Sequence, residues 1–207
     1  MPLITISRQY GSGGSEVAER VARALGWQLY DNALVDEVAS RLGMTVAEVS
    51  AREERVPSLA ERLASAISLS APEVMPSVGD AAVPPTEERI VQVTQRVIEE
   101  AVQAGPAVLV GRGAQCMLAK RTDALHIFCY APLDALTAYA VTDLGVPPAD
   151  ARKRVVEMNT RREDFVKRHW SREWGDFSNY HLCVNTAWVG LDGTAELVTR
   201  MARERFV

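Results

Sequence analysis

An apolar run, a glycine-rich turn and an amphipathic stretch follow one another without a gap at the start of the chain, in Leu3-Ile4-Thr5-Ile6-Ser7-Arg8-Gln9-Tyr10-Gly11-Ser12-Gly13-Gly14-Ser15. Gly11, Gly13 and Gly14 let the backbone turn tightly and aim several N–H groups inward, which makes a concavity suited to anions. The helix that follows adds its positive N-terminal end. Strand, glycine-rich loop and helix in direct succession are the context in which a phosphate-binding loop works. Measured against G-x-x-x-x-G-K-[ST], Ser15 takes the hydroxyl position and Gly13 the last glycine. Gly14, however, stands where the lysine belongs, and Arg8 where the first glycine belongs. The favoured reading is phosphate binding. The plainer alternative is a turn that only joins a strand to a helix.

The rest of the chain alternates in the same way. Leu3–Ile6, Ala107–Val110, Leu125–Tyr130 and His181–Asn185 read as strands. Helical spacing runs through Val17, Val21, Ala24 and Leu25 and stops at Gly26. Thr45-x-x-Glu48 is a capping box. A run from Thr86 places Ile90, Val93, Val97, Ile98 and Val102 on one side, Pro147-Pro148 can open a long polar helix, and Asp192 to Arg205 closes the chain. Strands alternating with helices predict a doubly wound parallel α/β sheet whose ligands bind at the carboxyl ends of the strands. Residues 57–85 interrupt the order with five of the ten prolines. They read equally as a surface insertion or as a cover over a ligand.

Composition narrows the partners. The 207 residues carry 23 basic and 27 acidic side chains, a formal charge of −4, which argues against extended nucleic acid and basic membrane-surface binding. No apolar run reaches the roughly 20 residues of a membrane span, and the start lacks a basic leader. Three scattered cysteines, Cys116, Cys129 and Cys183, suit a reducing compartment, so the expectation is a cytoplasmic protein.

Ser7 to Ser15, then Leu29-Tyr30-Asp31, then Val110-Gly111-Arg112-Gly113-Ala114, together resemble the cytidylate kinase-like family of P-loop proteins, and Tyr180 to Thr186 suits the same pattern. The resemblance implies one P-loop kinase-like domain over residues 1–207, with a monophosphate-binding insertion near 45–90 and a lid at 147–178. It implies ATP with Mg²⁺ as phosphoryl donor and a nucleoside monophosphate as acceptor, CMP or dCMP first; whether the protein forms a homo-oligomer is open. Carried over residue by residue, Gly11, Ser12, Gly13 and Gly14 would hold the donor phosphates, and Ser15 would ligate Mg²⁺. Asp31 and Asn32 would begin the acceptor site, although Asp31 serves equally as a helix cap. Arg112 matches the arginine of the family's Gly-Arg-Asp motif, with Gly113 in place of the aspartate, and would clamp a phosphate. Arg8 is the candidate to supply the missing lysine charge.

Residues 152–172 hold eight Arg/Lys against three acids, so the remaining chain carries −9. A basic helix is often only a solvated face. Arg161 and Arg162 fall where such kinases carry lid arginines, while Asn159 and Leu136 depart from the family's aspartate and arginine. Those departures, with the missing lysine, keep two alternatives open: a nucleotide-binding regulatory or assembly module without transfer activity, and a kinase for another small molecule.

Overall fold

The structure is a computed structural model that describes residues 1–31, 39, 41–43, 45 and 87–206. Asn32, the helix expected from the Thr45 capping box and the proline-rich stretch lie outside the described residues. The sheet has five strands, β1 (Leu3–Arg8), β2 (Gln28–Tyr30), β3 (Ala107–Val110), β4 (Ala124–Tyr130) and β5 (Leu182–Asn185), in the order β2-β3-β1-β4-β5. All four pairings are parallel. Helices α1 (Gly14–Leu25), α2 (Glu87–Ala104), α3 (Ala114–Met117), α4 (Leu133–Thr142), α5 (Pro148–Trp170), α6 (Thr186–Val189) and α7 (Leu191–Phe206) connect and cover the strands.

Alternation along β1 assigns the two faces. Ile4 and Ile6 pack with Val17 and Val21 of α1 and Val198 of α7. Leu3 points the other way, among Ile90, Val97 and Ile98 of α2. Burial on both faces is why β3 reads as an unbroken apolar run. Helix α1 stops where the spacing predicts, at Gly26 in the left-handed conformation, whose N–H bonds back to the last turn. Pro148 occupies the first turn of α5, where its missing N–H costs nothing. The expected strands are all present, and β2 is an addition: Gln28, Leu29 and Tyr30 pair with β3. Three residues with one half-apolar face carry too little alternation to announce a strand. Helix α4 was also unforeseen. It pairs with α5 through Leu136, Ala140, Ala151 and Val155, and its mixed surface lacks a clear apolar stripe.

The central strand carries a buried polar pair. Thr5 Oγ1 lies 2.7 Å from His126 Nδ1 on β4, and the His126 ring stacks on His181 with 5.1 Å between centroids. Burial first, then the neighbouring His181, holds the His126 pKa down to about 4. Its value in an unfolded chain is about 6.5, so between those limits the unfolded chain binds more protons. The neutral imidazole's contribution is therefore complete above pH 6.5 and is lost as pH falls toward 4. Urea unfolding should show about 2–3 kcal/mol of stability lost across that window, a component that is absent in His126→Asn.

Candidate functional site

The glycine-rich loop sits at the carboxyl end of β1, at the centre of the sheet. Gln9 ties it down twice: its N–H donates to the Cys129 carbonyl at 2.9 Å, and its Oε1 accepts from the Ala131 N–H at 3.1 Å. Ser12 closes the turn, its N–H and Oγ both reaching the Gln9 carbonyl at 3.2 and 2.8 Å. Gly11 and Gly13 then take left-handed φ values of 84° and 67°, and Gly14 opens α1. Ser15 follows, partly buried in the first turn.

Arg8 explains why position 14 holds no lysine. A Cβ built on Gly14 would lie 2.5 Å from Arg8 Cβ, 3.1 Å from Arg8 Cγ and 3.2 Å from Cys129 Cβ. The Arg8 stem fills the volume that a side chain at position 14 would enter. Farther along, the guanidinium passes so close to Gly111 that a Cβ there would collide with Nη1. It ends with Nη2 at 3.4 Å from Asp31 Oδ1, both side chains largely buried. Arg112 completes the group. It stands at φ 56° between Gly111 and Gly113, in the left-handed region that non-glycine residues seldom adopt. Its side chain is largely buried at the strand's end. Burial first, then the positive charge of Arg8, lowers its pKa to about 10, while Asp31 acts in the opposite sense. Asp31 thus pairs with Arg8 and also acts on the charge of Arg112, in a partly desolvated place.

Helix α5 lies over the loop. Asn159 Oδ1 accepts from the Tyr10 N–H at 2.7 Å. Arg162 Nη1 donates to the Arg8 carbonyl at 2.6 Å, and its guanidinium carbon lies 5.9 Å from the Tyr10 ring centre. Two turns on, the six-membered ring of Trp170 occupies the place that a Cβ on Gly113 would need. Gly113 itself has φ 69°, so an aspartate there would meet both steric and backbone opposition. Trp174 and Tyr180 pack into the core with Phe128 and Val166.

Of the residues singled out in sequence, Arg8, Asp31 and Arg112 converge beside the loop of residues 9–15. Arg162 reaches the loop's backbone, and Arg161 is half-buried one residue before it on α5. Asn159 and Trp170 emerge as contacts that local sequence gives no reason to rank. Each depends on a partner over 50 positions away. The described residues contain no cluster of three or more His, Cys, Asp or Glu side chains able to hold a metal by themselves.

The sequence matches the cytidylate kinase-like family over residues 3–187. The chain belongs to that family. Outside the family match, no curated protein matches it in sequence. In fold, this cytidylate kinase-like chain is similar to an uncharacterized protein from Eubacterium ventriosum ATCC 27560, with a TM-score of 0.71, 20% identity and coverage of 99% of this chain and 100% of the other. It is also similar to a shikimate kinase from Acinetobacter baumannii in complex with shikimate, with a TM-score of 0.56, 13% identity and coverage of 100% and 96%. TT1252 from Thermus thermophilus gives a TM-score of 0.56, 17% identity and coverage of 100% and 98%. The parallel sheet with helices on both faces is thus a P-loop kinase fold. Among the described residues, no helix is long and apolar enough to cross a membrane.

In this cytidylate kinase-like chain, restoring the consensus residues should do harm. Gly14→Lys must displace the Arg8 stem, and Gly113→Asp must displace the Trp170 ring while adopting a left-handed backbone. Each should cost about 1–3 kcal/mol in urea unfolding. Gly14→Lys should also leave nucleotide binding no tighter than in the parent, as measured by titration with ATP.

Proposed function

We propose that the protein transfers the terminal phosphoryl group of ATP to a small anionic acceptor, with a nucleoside monophosphate, CMP or dCMP first, as the acceptor class. The observation that supports this reading is the convergence of Arg8, Arg112 and Asp31 beside a glycine loop at a helix N-terminus. Phosphoryl transfer needs little covalent help from a protein; positioning and neutralisation of charge carry it. The N–H groups of Gly11, Gly13 and Gly14 would take the donor phosphates, with Ser12 shaping the turn that presents them. The Ser15 hydroxyl would ligate Mg²⁺, which when bound neutralises phosphate charge. Arg8 stands in for the absent lysine, entering from the strand side rather than from the helix. Arg112, whose charge is poorly solvated, gains most from an anion, and its planar fork suits two phosphate oxygens. Asp31 holds Arg8 in place and can accept a hydrogen bond from an acceptor hydroxyl, with Asn32 next to it in sequence. Arg161 and Arg162 supply positive charge from α5, the lid in this reading. Arg162 acts through the backbone of the loop.

Trp170 favours a second reading. Its ring fills the place beside Gly113 where the family's motif carries an aspartate, so the site offers less polar chemistry to a base. A smaller hydroxylated anion without a base then becomes the acceptor.

An assay of ADP release with ATP, Mg²⁺ and a panel of monophosphates and small hydroxy acids separates these readings. Turnover with CMP or dCMP is expected, and Arg8→Lys and Arg112→Lys should each lower kcat/KM by about 100-fold while changing stability little. Turnover only with base-free acceptors would establish the second reading. ATP binding without turnover on any acceptor would overturn both and leave a nucleotide-binding module.

A further inference from the structure

A second concavity, of about 590 Å³, opens between α5 and the carboxyl end of β4. Its volume lies within the range of small-molecule sites. Four aromatic side chains, Phe128, Tyr130, Trp174 and Phe177, contribute to its lining. Three of them brace one another. Phe128 meets Trp174 edge-on with 5.1 Å between centroids and stacks beside Tyr130 at 6.4 Å. The Tyr180 hydroxyl donates to the Trp174 carbonyl at 2.8 Å, fixing that segment from behind. Phe177 is 79% exposed and Tyr130 37% exposed. Phe128 and Trp174 are buried behind them, so the aromatic surface left to water at this opening is that of Phe177 and Tyr130, and a ligand there would cover it.

The charge of the lining decides the ligand class. Helix α5 supplies much of one wall and is strongly basic, yet no Lys or Arg lines the concavity among the described residues, and Glu163 is its one charged group. Three cations of α5 are engaged elsewhere: Arg152 with Asp134, Lys167 with Glu173 and Arg162 with the Arg8 carbonyl. A phosphate-bearing ligand would find no cation in this lining among the described residues. Ring faces attract an organic cation through their quadrupoles, and a nearby carboxylate adds direct attraction. We propose that this concavity binds a small organic ammonium ion with apolar substituents, packed on the aromatic faces with its charge toward Glu163. The concavity borders the glycine loop through Gln9 and through Asn159, which holds the Tyr10 N–H; ammonium binding there does not depend on phosphoryl transfer.

The test is calorimetric titration of the full chain with choline and with 3,3-dimethylbutan-1-ol, the neutral isostere with carbon in place of nitrogen. Choline should bind saturably and about tenfold more tightly than the alcohol. Glu163→Gln and Phe177→Ala should each weaken choline by about fivefold. Both side chains are exposed, so thermal unfolding of these variants should match the parent. Absence of saturable choline binding below about 50 mM would overturn the proposal. So would equal binding of the alcohol, which would mark a plain apolar site, or choline binding unchanged in both variants.

Discussion

The side chain of Arg8 crosses the backbone of two glycines, and that passage dictates what its neighbours can be. Its stem excludes any side chain at position 14. Its guanidinium excludes one at position 111 and reaches Asp31. A cation carried by the strand has therefore taken the room in which a helix-borne lysine would have stood. The exchange is not neutral in geometry. Arginine brings a rigid planar fork where lysine brings a mobile point charge, so the positive charge sits in one orientation, fixed by a carboxylate and by packing.

The second arginine inherits its environment from the first. Arg112 is kept in the left-handed region between two glycines, a conformation that costs about 1–2 kcal/mol, and it feels the positive charge of Arg8, with Asp31 acting in the opposite sense. Strain and like-charge proximity in one place support the phosphate-binding role proposed for these two arginines. The same two charges at the surface would repel each other weakly through water and signify little.

Much of this was legible from the residues alone. The glycine loop, the ends of α1 at Gly14 and Gly26, the burial of β3 and the opening of α5 at Pro148 all follow from local chemistry acting over a few positions. What stayed hidden depends on contacts between distant segments. Gly14 looks like a lost lysine until Arg8 is seen to fill its space. Gly113 looks like a lost aspartate until Trp170 is seen resting on it, and nothing near residue 170 points to residue 113. Asn159 reads as an interior residue of a polar helix. Only the fold shows its amide on the Tyr10 N–H. Helix α4 lacked a clean apolar stripe because it is covered by another helix rather than by the sheet.

Helix α5 runs 23 residues without an internal proline or glycine, a rod of about 35 Å. It touches the glycine loop at Asn159 and Arg162 and the β3 loop at Trp170. The residues able to act as hinges lie beyond its ends, at Gly145 and Ser171, both with positive φ. The rod therefore sets the spacing of the loops it touches: eleven residues separate Asn159 from Trp170, about 16 Å along the axis, so neither loop can shift along it toward the other without breaking a contact to α5.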